Sequence, residues 1–300
     1  MRRRVAARLS ESTADDDSPI RTFRSSRTRQ VMSLSATRAE HPITDDDVAR
    51  FEADGYLYLP RLFDGEEMEL LLNIARADSR LGEDASDRVD ASGASTKLCV
   101  RDDLGDDIYS AIVRCHRLVD TMERLLGEEV YHWHHKMMLK EPRVGGAWEW
   151  HQDYGYWYND ACLKPTLASC YLAVDRASRE NGCLQVIRGS HHLGRVEHVT
   201  TGRQTGADLE RVEEALKQMP LEYVEMDPGD TIFFHGNLLH RSDQNRSADP
   251  RWSLICCYNT RSNSPFRPSR HPAYSPLEKW ADGRVLEVGR RQLSRMNNAT

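Results

Sequence analysis

Pro228-Gly-Asp-Thr-Ile-Phe-Phe-His235-Gly-Asn-Leu-Leu-His240-Arg-Ser242 is the stretch on which the fold turns. Pro228-Gly229-Asp230 is turn chemistry, residues 231–235 form a short apolar run of strand-forming types, and Gly236 allows a bend before a second run carrying His240 and Ser242. The same texture extends outward in both directions. Strands are predicted over 130–140, 148–153, 166–174, 183–187, 221–226, 231–235 and 252–258, separated by turns such as Asn181-Gly182, Gly189-Ser190 and Ala248-Asp249-Pro250. Seven short strands without alternating helices predict a mainly β fold with flanking helices, an antiparallel sandwich or barrel and not a parallel α/β sheet.

Upstream of residue 129 the pattern is helical. Thr44 followed by Asp47 reads as a capping box, Val48, Phe51 and Ala53 supply an apolar stripe, and Gly55 ends the helix. A short strand over 56–60 and a helix over 64–77 follow; 79–96 is polar and reads as a loop, and helical patterning returns over 106–126. A helical insertion at about 206–219 is predicted to form a lid. Residues 1–40, rich in Arg and Ser with an acidic run at Asp15–Asp17, read as a disordered arm; residues 41–300 read as one domain.

The bulk properties exclude several classes. A net charge of -6 gives no pull toward nucleic acid or anionic membrane, and no apolar run approaches the ~18 residues of a membrane span. The seven cysteines lack any CxxC spacing and no secretory signal is visible, which predicts a reduced, cytoplasmic chain. Oligomeric state is not legible.

Trp148-Glu-Trp-His151-Gln-Asp153-Tyr-Gly-Tyr-Trp157 carries a second signal. Side chains at i and i+2 of a strand share a face, so His151 and Asp153 can converge on one point. With a third histidine from the 229–242 stretch they make two imidazoles and one carboxylate, the set that leaves positions open on ferrous iron. His240 and His235 both qualify, because a bend at Gly236 resets the pleat. Arg251 follows on the next predicted strand; a planar guanidinium is suited to gripping the far carboxylate of a dicarboxylic oxo acid, and Ser242 shares the face of His240. On the strand over 130–140, His132, His134, Lys136, Met138 and Lys140 fall on one face by parity, Trp133, His135, Met137 and Leu139 on the other. Tyr154, Tyr156, Trp157 and Tyr158 crowd the segment beyond Asp153, a rim that suits a compact cation or planar group.

Three blocks, Trp150-His-Gln-Asp-Tyr154, Arg179-Glu-Asn-Gly-Cys-Leu-Gln-Val-Ile-Arg-Gly-Ser-His191 and Pro228 through Asn245, resemble the phytanoyl-CoA dioxygenase family over roughly residues 44–275. The resemblance implies a double-stranded β-helix of jelly-roll type and an iron(II)/2-oxoglutarate-dependent dioxygenase using O2. It implies His151, Asp153 and His240 as iron ligands, selecting His240 over His235, and Arg251 on the distal carboxylate of 2-oxoglutarate; Ser242 adds a hydroxyl contact to the cosubstrate, and Lys136 hydrogen-bonds either 2-oxoglutarate or an acidic group of the substrate. It also places the Lys136 face inward and sets Tyr154, Trp157 and His134 toward the substrate. Retention of a carboxylate at Asp153 favours hydroxylation over halogenation. A small-molecule metabolite is the expected substrate; acyl-CoA asks for a basic patch for which only Arg143, Arg188, Arg195 and Arg203 are candidates. The competing classes are a non-catalytic jelly-roll binding protein and a zinc-dependent hydrolase using the same His/Asp/His set; neither gives Arg251 a role as direct as a cosubstrate does.

Overall fold

The computed structural model describes residues 43–90, 92–201 and 204–298; the expected arm at 1–40 and Arg203 lie outside them. The chain opens as the capping box predicts. Thr44 accepts the Asp47 amide at 3.2 Å and gives its own amide to the Asp47 carboxylate at 2.8 Å, starting α1 (Asp45–Asp54), and Gly55 closes it at φ 83°, a left-handed conformation that suits glycine. β1 (Tyr56–Leu59) leads to α2 (Gly65–Ala77), which has a capping box of its own at Asp64 and Glu67.

Residues 79–96, expected as a loop, instead hold α3 (Ser79–Glu83) and β2 (Ser86–Val89) before β3 (Ser95–Arg101). β2 is an edge strand exposed along most of its length, so it has no apolar face to announce it; pairing with β3 alone sets its register. The helical stretch that follows is broken in two, α4 (Ile108–Arg114) and α5 (His116–Leu126), because Cys115 is extended and bridges to Trp280.

From β4 (Val130–Lys140) onward the chain is mostly strand: β5 (Trp148–His151), a short α6 (Asp153–Trp157), β6 (Leu167–Ala173), β7 (Leu184–Ile187), β8 (His198–Thr201), β9 (Gln204–Ala207), α7 (Leu209–Gln218), β10 (Leu221–Val224), β11 (Thr231–His235), β12 (His240–Ser242) and β13 (Arg251–Thr260), closed by α8 (Arg284–Asn297). Two antiparallel sheets result, β1-β11-β6-β13-β4-β3-β2 and β10-β7-β12-β5, with β8-β9 as a separate hairpin. This is the expected jelly roll. Cys170, Leu172, Leu254 and Cys256 pack outward against helical residues including Leu71, Ile74, Ile112, Met122 and Val285. On the opposite face Tyr171, Phe234, Ile255 and Cys257 meet Leu184 and Val186 of the small sheet. With both faces covered, β13 is buried at every position and shows no polar alternation. All seven cysteines are buried free thiols. Among the described residues no helix is long and apolar enough to cross a membrane.

Two local expectations need correction. Simple parity on β4 fails at its start: the β13–β4 register shifts between Cys257 and Tyr258, which pair with His134 and His132 and skip Trp133. The resulting bulge turns His132 to the side of His135, with their rings hydrogen-bonded at 3.1 Å. The insertion helix α7 is present but is not a lid. Val212 and Ala215 bury it against Trp150, Ile187 and Leu239 behind the small sheet.

Candidate metal and cosubstrate site

β5 and β12 are neighbours in the small sheet, and His151 pairs directly with His240. Their ring centroids lie 4.0 Å apart. Asp153 completes the group, and one ligand atom from each of the three lies within 4.8 Å of the others. β5 ends at His151, so the expected strand over 148–153 stops short. Asp153 is the first residue of α6, its neighbour Tyr154 giving its amide to the Gly236 carbonyl at 2.8 Å. Gly155 is obligatory in this turn, because a Cβ there would sit 1.9 Å from the His198 ring, whose Nε2 takes the Gln152 amide.

The hydrogen bonds around the trio fix which atoms are offered. His151 Nδ1 is 2.7 Å from the Glu149 carbonyl and His240 Nδ1 is 2.9 Å from the Leu238 carbonyl. Each ring therefore donates from Nδ1 and presents an Nε2 lone pair. Ser169 donates to Asp153 Oδ2 at 2.6 Å, and His151 Nε2 lies 3.9 Å from Oδ1. Burial holds the His151 imidazole well below its usual pKa, with His240 beside it adding to the effect; burial lowers His240 as well. Burial thus favours the neutral form of both rings, the form that binds a metal. This donor set fits a divalent cation with open positions. His235 sits elsewhere, its Nδ1 accepting the Asn237 amide and its ring facing His191 and Phe51.

A chamber extends inward from the trio, lined by Lys136, Met138, Tyr171, Ser242 and Arg251. Arg251 is 1% exposed. Its Nη1 contacts the Tyr171 hydroxyl, Nη2 reaches the Met138 sulfur at 3.5 Å, and Nε has no partner. Among the described residues no carboxylate pairs with it. A buried guanidinium left in this state is strongly unfavourable, so the chamber is built for an anion. Ser242 accepts from Lys140 Nζ at 2.9 Å, and Lys140 is itself buried beside Arg251 in the β4–β13 ladder. Burial, then the neighbouring guanidinium, hold the Lys140 amine well below its usual pKa.

The comparisons with known proteins decide the family. The family model described as Phytanoyl-CoA dioxygenase (PhyH) matches residues 51–253. The chain belongs to the phytanoyl-CoA dioxygenase family. It is 31% identical over 261 residues to L-proline trans-4-hydroxylase of Streptomyces griseoviridis, covering 80% of this chain and 93% of that protein. Ectoine dioxygenase of Halomonas elongata is 26% identical over 277 residues, with 84% and 83% covered. Among solved structures, EctD from S. alaskensis with 2-oxoglutarate and 5-hydroxyectoine superposes with a TM-score of 0.65 at 24% identity, covering 81% of this chain and 89% of that one. The epimerase SnoN with Fe3+ and alpha ketoglutarate gives 0.64 at 21% identity, with 79% and 94% covered. The chain is thus an iron(II)/2-oxoglutarate-dependent dioxygenase of the PhyH family, and the binding-protein and hydrolase classes are not favoured.

On the other side of the trio this PhyH-family chain has an open cleft of about 680 Å³. Of the residues expected to face substrate, His134 and Trp157 line it. Tyr154 does not: it turns inward and its hydroxyl donates to the Cys162 carbonyl, while Tyr156 takes the place on the wall. None of α7 lines the cleft, and neither do Arg143, Arg188 or Arg195; Arg88 and Arg270 do. Sequence reading missed Ser169 and Tyr171, which share one face of β6 and meet Asp153 and Arg251 respectively, a period-2 signal that was available. It also missed Asp102 and His271, which arrive from segments without a periodic pattern.

Proposed function

We propose that this enzyme hydroxylates a small-molecule metabolite, converting a C–H bond, dioxygen and 2-oxoglutarate into C–OH, succinate and carbon dioxide. In this reading His151, Asp153 and His240 hold the iron, and Arg251 with Tyr171 grips the far carboxylate of 2-oxoglutarate. Bound iron, with the oxo acid and dioxygen, supplies the oxidant for the insertion. The protein's part is to orient and to exclude water. The Glu149 and Leu238 carbonyls aim the imidazoles, Ser169 fixes the Asp153 carboxylate, and Phe234, Ile255 and Leu184 keep the chamber apolar between its charged ends.

The observation that carries the reading is Arg251, a buried cation without a carboxylate at the closed end of the chamber that holds the trio. A two-carboxylate oxo acid supplies both the chelating end for the metal and the missing counter-charge. Relatives that act on proline and ectoine support a small-molecule substrate. The test is an anaerobic titration of the ferrous protein with 2-oxoglutarate. A weak visible charge-transfer band is expected with wild type, and its midpoint shifts to much higher 2-oxoglutarate in Arg251→Ala; no band in wild type, or an unshifted one in the variant, rejects the assignment.

A further inference from the structure

The outer cleft is electrically polarised. Lys136 stands on its wall beside His151 and Asp153, half-buried, and its ammonium makes no ion pair or hydrogen bond with any described residue. Two residues earlier on β4, roughly 7 Å away by strand rise, His134 is 4% exposed and its Nδ1 has no partner. The His134 ring stacks on His271 at 4.6 Å and 21° between planes. His271 in turn holds Asp102 at 2.9 Å, leaving the other Asp102 oxygen without a hydrogen bond among the described residues. The Asp102 side chain is 45% exposed, so it addresses the cleft without being sealed off. A cation therefore stands next to the metal trio and an oriented carboxylate stands at the His134–His271 stack, with the Trp157 indole edge-on to His134 at 5.9 Å; Arg88 and Arg270 also line the cleft, Arg270 already paired with Asp160 at 2.9 Å.

We propose that the substrate is a zwitterionic free amino acid, its carboxylate received by Lys136 and its ammonium by the Asp102–His271 pair. The inference rests on the dioxygenase reading above. Lys136 is spare for this role because Arg251 and Tyr171 already serve the far carboxylate of the cosubstrate from the opposite end of the chamber. A ligand with a single charge leaves one end of the cleft uncompensated, and a neutral one leaves both. His271 is a positioning residue: it sets the Asp102 carboxylate and fills the space over His134.

The test uses the ferrous protein loaded with 2-oxoglutarate without oxygen. Binding of the twenty common free amino acids is followed by calorimetry and by fluorescence of the cleft tryptophans. The tightest is then compared with its amide and its N-acetyl form, each of which lacks one charge. Wild type is expected to bind each single-charge analogue at least tenfold more weakly. Lys136→Met should bring the free acid and the amide within about twofold of each other and Lys136→Arg should restore the gap, while Asp102→Asn should remove discrimination against the N-acetyl form alone. If no amino acid binds although the 2-oxoglutarate band forms normally, the substrate class is wrong and the dioxygenase reading stands; if the band itself is missing, the failure lies in that reading. Loss of the band in Lys136→Met would assign Lys136 to the cosubstrate and overturn the inference.

Discussion

Two groups of two histidines and one aspartate meet at the outer cleft, all of Asp102, His134 and His271 lining it and His151 and Asp153 of the other group with them, and they are wired in opposite ways. In His151, Asp153 and His240 each side chain spends one polar atom on a fixed partner, the Glu149 carbonyl, the Ser169 hydroxyl or the Leu238 carbonyl, and keeps the other for the common centre. In Asp102, His134 and His271 the two rings lie nearly parallel, and His271 Nδ1 is committed to Asp102 with Asp160 3.8 Å from Nε2. Composition and proximity are alike. The difference is the supporting shell. It makes the first group a convergent lone-pair site and the second a stacked polar clasp.

The largest expected effect breaks that comparison directly. His240→Ala or Asp153→Ala removes a convergent ligand and should cut turnover by roughly a thousandfold or more, with dialysed protein retaining little iron by metal analysis. His271→Ala should retain iron at the wild-type stoichiometry. Equal iron loss in both would make the clasp part of the metal centre and erase the distinction.

Next in size is Arg251→Met. Losing the guanidinium should weaken 2-oxoglutarate binding by about 2–5 kcal/mol, read as a large rise in its KM. The apoprotein should move the other way. An unpaired buried charge is exchanged for an apolar side chain of similar reach, so the melting temperature without cosubstrate should rise. Wild type should recover stability as 2-oxoglutarate is added, and the variant should not. A variant less stable than wild type when empty would mean that Arg251 serves the fold before the ligand.

The convergent group was legible because it lies on regular strands. His151 and His240 fall on segments whose apolar patterning and turn chemistry define β5 and β12, and Arg251 begins the next long strand. Asp153 lies beside them in space, although it starts a helix and not a strand continuation. The clasp was not legible. Asp102 follows the end of β3, His271 lies in an irregular segment after β13, and only folding brings them to His134. Tyr154 was misassigned for a related reason: the helical turn at 153–157 rotates successive side chains by about 100°, which sends Tyr156 and Trp157 to the cleft and Tyr154 into the core. The bulge at Trp133 likewise escaped a parity count, which assumes an unbroken period of two.

A smaller effect tests whether the shell matters as argued. Ser169→Ala deletes the hydroxyl that donates to Asp153 Oδ2 and leaves the ligand itself in place. Iron affinity should fall about 10–100-fold, the range found for second-layer partners of metal ligands. Turnover at saturating iron should fall less than affinity does. An unchanged dissociation constant for iron, measured by competition with a chelator, would show that the carboxylate is oriented by its backbone alone.

The smallest effect separates the two halves of the cleft by pH. Asp90 ties the tip of the β2–β3 hairpin to the strand entering β5 and to Gln244, accepting from the Ser92, Ala94 and Ala147 amides and from Gln244 Nε2 at 2.8 Å. Burial pushes its pKa up, but the bonds from Gln244, Ala147 and Ser92 outweigh this and bring it down to about 2. A carboxyl depressed on folding stabilises the protein fully above its unfolded pKa near 4, and that contribution disappears as pH falls through 2. Its size is roughly 2 kcal/mol. Asp90→Asn turns an amide toward the Ala147 and Gln244 donors, so it should lower denaturant stability by about that amount at pH 7 and by much less near pH 2. The hairpin carries Asp87 and Arg88 on the outer wall, whereas the candidate metal ligands His151, Asp153 and His240 hang on β5, α6 and β12. The variant should therefore loosen substrate binding while the iron dissociation constant stays put; a parallel loss of iron would mean that the outer wall and the metal centre move as one body.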